Sequence, residues 1–303
     1  MSFLYLLEKL RMPVLNEFML AVTTLGEETA FLVIGLIVFW CVDKKKGYFV
    51  MMVGLFGTII SQIMKLSFRI PRPWVLDPEF PILEQAREAA AGYSFPSGHT
   101  QTAVGTFGAL AVAEEKKWRR TCFIVLAALV GFSRMYVGVH TPADVLVGAA
   151  LAVAIVFALR NPVLNGNDHA LRICLLALIA AALVFLAFVH LWDFPADIDA
   201  HNMESGLKNA YTMLGCGAGL LLVFVVDCKW MNFSVQAKWW VQIIKIVAGL
   251  LLVLAVKEGL RAPLEMVLPV YPARAVRYFL IVLTAGILWP MSFKYLSKIG
   301  VKE

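Results

Sequence analysis

The feature that most limits what this chain can become is a succession of long apolar runs, each closed by a short polar or charged turn. The runs cover approximately residues 29–42, 47–68, 98–114, 121–138, 142–159, 170–191, 208–227, 239–259 and 276–293. Most approach the roughly 20 residues that a helix needs to cross a bilayer. Backbone polar groups in hydrocarbon must be satisfied within their own segment, so such runs become helices. Apolar residues make up 60% of the 303 and charged residues 16%, with mean hydropathy +0.78. Soluble domains are about half apolar and a quarter charged. The chain reads as an all-α, polytopic membrane helix bundle.

Charge then assigns sides. Asp43-Lys44-Lys45-Lys46 and Glu115-Lys116-Lys117-Trp118-Arg119-Arg120 are basic turns of the kind that stay in the cytoplasm. Counting spans outward from them puts the loop 69–97 and the turn at residue 140 on the opposite face. It puts the C-terminus, with Lys294, Lys298 and Lys302, in the cytoplasm. The net charge of +6 follows from these clusters and does not call for a nucleic-acid partner. Residues 2–24 are amphipathic, with Phe3, Leu6, Leu7 and Leu10 at helical spacing. They suggest one helix lying in the interface and, beyond Pro13, a partly buried second segment. Glu8, Lys9 and Arg11 stand where the apolar part of a signal peptide would lie, so no cleaved signal is expected. The five cysteines sit in or at the ends of apolar runs without metal-ligand spacing, as buried inert thiols would. The long proline-rich loop 69–97 is expected to hold a short surface helix at Ile82–Ala91 and to act as a lid or binding loop. Tryptophans near span ends, such as Trp118, Trp192, Trp230 and Trp239, fit an interfacial belt. A cluster of Asn, Pro, Gly and Asp at Asn161–His169 marks a soft boundary between residues 1–160 and 161–303.

The chemistry gathers between Lys65 and Asp144. Lys65 to Pro73, Pro96-Ser97-Gly98-His99, Ser133-Arg134 and His140-Thr141-Pro142-Ala143-Asp144 all fall on the same face by the span count. Charge at the edge of hydrocarbon is costly and marks function by default. Lys65, Arg72 and Arg134 together balance a phosphate dianion, with arginine suited to bidentate contact. Each is also a residue that snorkels at span ends. A metal route would want clustered carboxylates and histidines. This face offers two histidines and scattered acids, which favours a covalent route through histidine. His140 and Asp144 are four apart, so a carboxylate on one helical face can fix the tautomer of the imidazole. The same residues also spell a helix start, with Thr141 as cap, Pro142 in first position and Asp144 in third. Ser97 can cap the next helix, and Gly98 allows close approach to a helix N-terminus that attracts phosphate. His99 beside it is placed to protonate a leaving oxygen. Asp197, Asp199 and His201 spell a possible metal site on the outer side; His169 and His190 read as lone interfacial histidines.

Lys65-x₆-Arg72-Pro73, Pro96-Ser97-Gly98-His99 and Ser133-Arg134-x₅-His140-x₃-Asp144 together resemble the three-part signature of the type 2 phosphatidic acid phosphatase family, also called the lipid phosphatase and vanadium-haloperoxidase-like superfamily. The resemblance covers roughly residues 14–160. It implies a six-helix phosphatase core, whose first helix is weak here, and a cofactor-free, metal-independent hydrolysis of lipid phosphate monoesters or pyrophosphate ends. It implies His140 as nucleophile, Asp144 as its orienting acid and His99 as general acid. Lys65, Arg72, Ser97, Gly98 and Arg134 would hold the phosphate. About four further spanning helices lie C-terminal to the signature. That layout is similar to glucose-6-phosphatase and the sphingosine-phosphate phosphatases, although glucose-6-phosphatase lacks an acid at the place of Asp144.

The expected protein is thus a multi-pass inner-membrane enzyme with its active site on the non-cytoplasmic face. Its partner would be a phospholipid or polyprenyl-phosphate substrate in the bilayer: phosphatidic acid, phosphatidylglycerol phosphate, a sphingoid-base phosphate or undecaprenyl pyrophosphate. A phosphatase for a soluble sugar phosphate and a lipid transporter are the competing readings. The chain lacks the paired, broken segments that would favour transport. Residues 161–303 are open to shaping a lipid entrance, making a homodimer contact, or a separate function.

Overall fold

A computed structural model describes residues 1–90 and 92–296. Among these the secondary structure is helical throughout, with no strand. The helices are α1 (Ser2–Glu8), α2 (Pro13–Thr24), α3 (Glu28–Cys41), α4 (Lys44–Phe68), the single turn α5 (Pro73–Leu76), α6 (Gly98–Ala113), α7 (Lys117–Tyr136) and α8 (Pro142–Arg160). Then follow α9 (Asp168–Leu191), α10 (Ala200–Val226), α11 (Trp239–Gly259), α12 (Arg261–Val267), α13 (Val270–Leu283) and α14 (Phe293–Leu296). Among the described residues six helices are long and apolar enough to cross a membrane, or seven if α2 and α3, bent by 54°, form one broken span. The chain is an integral membrane protein. Two expected spans look different in three dimensions. Helix α6 has only 16 residues and is threaded with Thr100, Gln101, Thr102 and Thr106, all buried. Helix α7 opens on Lys117, Arg119 and Arg120 and carries Arg134 near its end. Protein surrounds the polar side chains of α6 and Arg134, whereas Lys117, Arg119 and Arg120 are exposed. The tail lysines Lys298 and Lys302 lie outside the described residues.

The described residues form two compact units. The first comprises Met1–Leu32, Val53–Asn161 and Asp193–Gly206. It therefore takes in a segment well beyond residue 160. Its centre is α6, packed against α7 and α8, with α1 and α2 laid on α7. Small residues let these helices approach closely: a Cβ on Gly148 of α8 would lie 2.7 Å from the carbonyl oxygen of Ser97. Helix α1 buries Leu4 and Leu7 and turns Phe3 and Leu6 outward, as an interfacial helix would, and Leu10 just past its end is exposed too. The N-terminal region is tied to the long loop. Tyr5 donates to Asp77 Oδ2 at 2.9 Å, and Arg11 donates to the carbonyls of Pro81 at 2.8 Å and Tyr136 at 3.0 Å. The helix expected at Ile82–Ala91 is instead two 3₁₀ turns, Glu84–Ala86 and Glu88–Ala90. Ala86 and Ala90 tuck into a small cluster with Met19, Tyr136, Val137 and Val139. The backbone there closes i to i+3 bonds, from the N–H of Ala86 to the Leu83 carbonyl, of Arg87 to Glu84 and of Ala90 to Arg87.

The second unit comprises Val33–Met52, Pro162–Trp192 and the described residues from Leu207 onward. Several polar groups inside it are paired. Trp40 Nε1 donates to the carbonyl of Ala285 at 2.8 Å, and Trp289 Nε1 to that of Lys245 at 3.0 Å. Lys44 pairs with Asp227 at 2.7 Å. The wholly buried Lys245 reaches the carbonyl of Val235 and lies 4.4 Å from the centre of the Phe293 ring. An apolar recess of about 550 Å³ opens here between α11 and α13, with no titratable side chain in its wall.

Candidate active site

Arg72, Ser94 and Ser97 of the long loop and Val137, Val139 and His140 of the following turn are buried, and that is where the polar residues meet. Thr141 caps α8 with a full capping box: its Oγ1 accepts from the Asp144 N–H at 3.3 Å, and Asp144 Oδ2 accepts from the Thr141 N–H at 2.7 Å. Pro142 takes the first position, where its missing N–H costs nothing. This fixes Asp144 beneath His140, with Oδ2 at 3.5 Å from His140 Nδ1. Both side chains are nearly sealed from solvent. Ser97 caps α6, accepting from the Thr100 N–H at 3.4 Å and its hydroxyl at 2.9 Å.

A cavity of about 450 Å³ opens against this cluster. Lys65, Arg72, Gly98, His99 and His140 line it, together with Glu27 and Glu28. A Cβ on Gly98 would meet nothing within 4 Å, so the α6 N-terminus faces open space. Arg72 is the hub. Its Nη1 donates to His140 Nε2 at 2.8 Å and to the Val139 carbonyl at 3.0 Å, and its Nε to the Gly92 carbonyl at 2.8 Å. Lys65 Nζ donates to the Tyr93 carbonyl at 2.6 Å. Burial draws the Arg72 guanidinium down to about 10, so it is still a cation at neutral pH. Burial first, and then Arg72, push His140 well below the usual imidazole range, so its ring is neutral there. The tautomer with hydrogen on Nδ1 uses the shorter Arg72 contact and the acid together: Nδ1–H faces the carboxylate, and the Nε2 lone pair accepts from Arg72.

Three of the expected residues stand behind the cavity wall. Asp144 and Ser97 serve the helix starts described above. Arg134, with 0% exposure, donates to Thr23 Oγ1 at 2.6 Å, while its Nε and Nη2 have no protein partner. His99 Nε2 is likewise buried and unpartnered. Sequence reasoning missed Ser94. Its fully buried hydroxyl donates to Asp144 Oδ2 at 2.7 Å and lies 3.4 Å from His140 Nδ1. Its place three residues before Ser97-Gly98-His99 was the one available signal. Asp199, Asp197 and His201 do not assemble a donor set; Asp199 Oδ1 accepts instead from the N–H and Nδ2 of Asn202, each at 2.8 Å. No group of three or more His, Cys, Asp or Glu suited to a metal occurs among the described residues.

A membrane helix bundle that gathers cations and two histidines around one recess has the make-up of a membrane phosphohydrolase. Comparison with known proteins agrees. The sequence profile of the PAP2 superfamily matches residues 45–168, and that of the PAP2 superfamily phosphatase, transmembrane extension, matches residues 211–300. Phosphatidylglycerophosphatase B of Bacillus subtilis (strain 168) is 30% identical over 168 residues, covering 50% of this chain and 77% of that one. Undecaprenyl-diphosphatase BcrC of the same organism is 33% identical over 108 residues, covering 34% of this chain and 51% of that one. Sphingosine-1-phosphate phosphatase 2 of Mus musculus is 23% identical over 222 residues, covering 70% of this chain and 57% of that one. The chain thus spans only about half the length of the last two. The chain belongs to the PAP2 superfamily and is a membrane phosphatase of that family.

Proposed function

We propose that this protein hydrolyses the phosphate monoester or pyrophosphate end of a membrane lipid through a phosphohistidine on His140, without a metal. The observation that carries this reading is the two-sided setting of that imidazole. Its Nδ1 faces Asp144 and Ser94, and its Nε2 lies at a cationic cavity beside Arg72. In the proposed reaction the phosphate enters against Lys65, Arg72 and the N-terminus of α6 at Ser97 and Gly98, with Arg134 adding positive charge from behind. His140 Nε2 attacks phosphorus as the bond to the lipid oxygen breaks. His99 gives that oxygen a proton. The Nδ1 proton stays shared with Asp144, which balances the charge on the phosphorylated ring. Water then attacks phosphorus, His99 takes its proton, phosphate departs, and His140 returns to the neutral form.

Phosphatidylglycerol phosphate, undecaprenyl pyrophosphate and sphingoid-base phosphates are the substrates that the relatives' names suggest. A recess at a helix end admits such a head group while the tails remain in the bilayer. The lysine-rich turns support a non-cytoplasmic site and a cytoplasmic C-terminus. Residues 1–160 would then be the phosphatase core and 161–303 a membrane extension.

The test is phosphate release from a panel of lipid phosphates and soluble sugar phosphates by purified protein in detergent with EDTA. Release from at least one lipid, lost in His140→Ala and in His99→Ala proteins that remain folded, is expected. Full turnover by His140→Ala, or dependence on added metal, would overturn the mechanism.

A further inference from the structure

We infer that Asn202, from the connection between α9 and α10, is a positioning residue of the phosphate site; the inference rests on the function proposed above. Residues 193–206 belong to the first unit although the signature ends some fifty residues earlier. The backbone at Gly92 and Tyr93 holds both cavity cations: the Gly92 carbonyl accepts from Arg72 Nε, and the Tyr93 carbonyl from Lys65 Nζ. These two carbonyls set where the guanidinium and the ammonium point. What sets the carbonyls is Asn202. Its Oδ1 accepts from the Tyr93 N–H at 2.9 Å.

Two further features fit Asn202 closely to this turn. Gly92 has φ +84°, a left-handed conformation, and a Cβ there would lie 2.6 Å from Asn202 Oδ1. Asn202 is itself oriented by Asp199, whose Oδ1 accepts from both its N–H and its Nδ2. The Asp199 N–H in turn points at the Tyr93 hydroxyl at 3.4 Å. Only one end of the Asn202 amide can accept, and Asp199 claims the donor end. The acceptor is thereby aimed at Tyr93. Asn202 acts through backbone and does not touch the phosphate itself.

The test uses full-length protein in detergent and orthovanadate, a phosphate mimic, as competitive inhibitor. Loss of this half-buried hydrogen bond predicts that Asn202→Ala raises the inhibition constant about tenfold and lowers kcat/KM in parallel. The double variant Asp199→Ser/Asn202→Asp keeps an acceptor for the Tyr93 N–H, while the serine hydroxyl can both accept from the residue-202 N–H and donate to the new carboxylate, and it should return to within about threefold of the parent. A merely structural role would lower the folded fraction and leave the constant per folded molecule unchanged. Asn202→Ala protein that is folded, turns over lipid phosphate and binds orthovanadate like the parent would overturn the inference and leave the function standing. A parent that turns over no lipid phosphate overturns the function instead. Orthovanadate binding by calorimetry on the same variants then supports the positioning role if Asn202→Ala weakens it, and overturns that role if it does not.

Discussion

Replacing Asp144 with asparagine exchanges one oxygen for nitrogen and tests the proposed mechanism at its centre. The helix cap should survive, because the amide oxygen still accepts from the Thr141 N–H and the Ser94 hydroxyl. The same oxygen stays 3.5 Å from His140 Nδ1, because Oδ2 is the atom that makes all three contacts. The substitution thus leaves the geometry and removes the negative charge beside the ring that becomes cationic on phosphorylation. At an effective dielectric of about 20, two unit charges at that separation attract by about 5 kcal/mol. Each 1.36 kcal/mol is tenfold in rate, so kcat should fall on the order of a thousandfold. The assay is phosphate release at saturating substrate, beside acid-quench trapping of the phosphorylated enzyme. The melting temperature should stay near that of the parent. Asp144→Ala should behave differently, losing the cap at a cost of about 1 kcal/mol or more as well as the activity. Asp144→Asn protein within tenfold of parental kcat would refute the assignment of Asp144 as the partner of the nucleophile.

Other expectations follow from the same geometry. His99→Gln should slow lipid substrates far more than p-nitrophenyl phosphate, whose leaving oxygen needs no proton; equal slowing of both would count against His99 as the acid. His140 is depressed, so the acidic limb of kcat/KM should fall below the ordinary imidazole value of about 6.5. Stability should decline as pH drops below that value, because the unfolded chain takes up the proton first. An acidic limb above it would contradict the burial of a neutral ring. Gly148→Ala should destabilise the protein by about 1–3 kcal/mol in thermal or denaturant unfolding, since its methyl would press on the Ser97 carbonyl, and a neutral result would mean that α8 can shift.

The sequence was most legible where charge met hydrocarbon. Lys65, Arg72, His99 and His140 stand out because an apolar run has no ordinary use for them, and the cavity gathers all four. The caps at Ser97 and Thr141 were legible because they depend only on neighbours within one turn. What stayed hidden depended on distant chain. A buried serine such as Ser94, or a threonine such as Thr23 under Arg134, has no periodicity to betray it. The carbonyls of Gly92 and Tyr93 have no sequence signature at all, since every residue carries one. Asn202 lies 109 positions from its partner in a segment that reads as an ordinary turn. The polar side chains of α6 were visible in the run 98–114, but that protein covers Thr100, Gln101, Thr102 and Thr106 is something composition alone does not reveal.

The contact between Arg72 and His140 Nε2 has a consequence for the enzyme at rest. In the proposed mechanism the atom that must attack phosphorus is already spoken for, its lone pair engaged by the cation that substrate needs. Only an incoming anion strong enough to draw the guanidinium away frees the ring. The nucleophile would then be unmasked by the group it is meant to attack. Neutral electrophiles that wander into the membrane interface would meet a histidine still held closed.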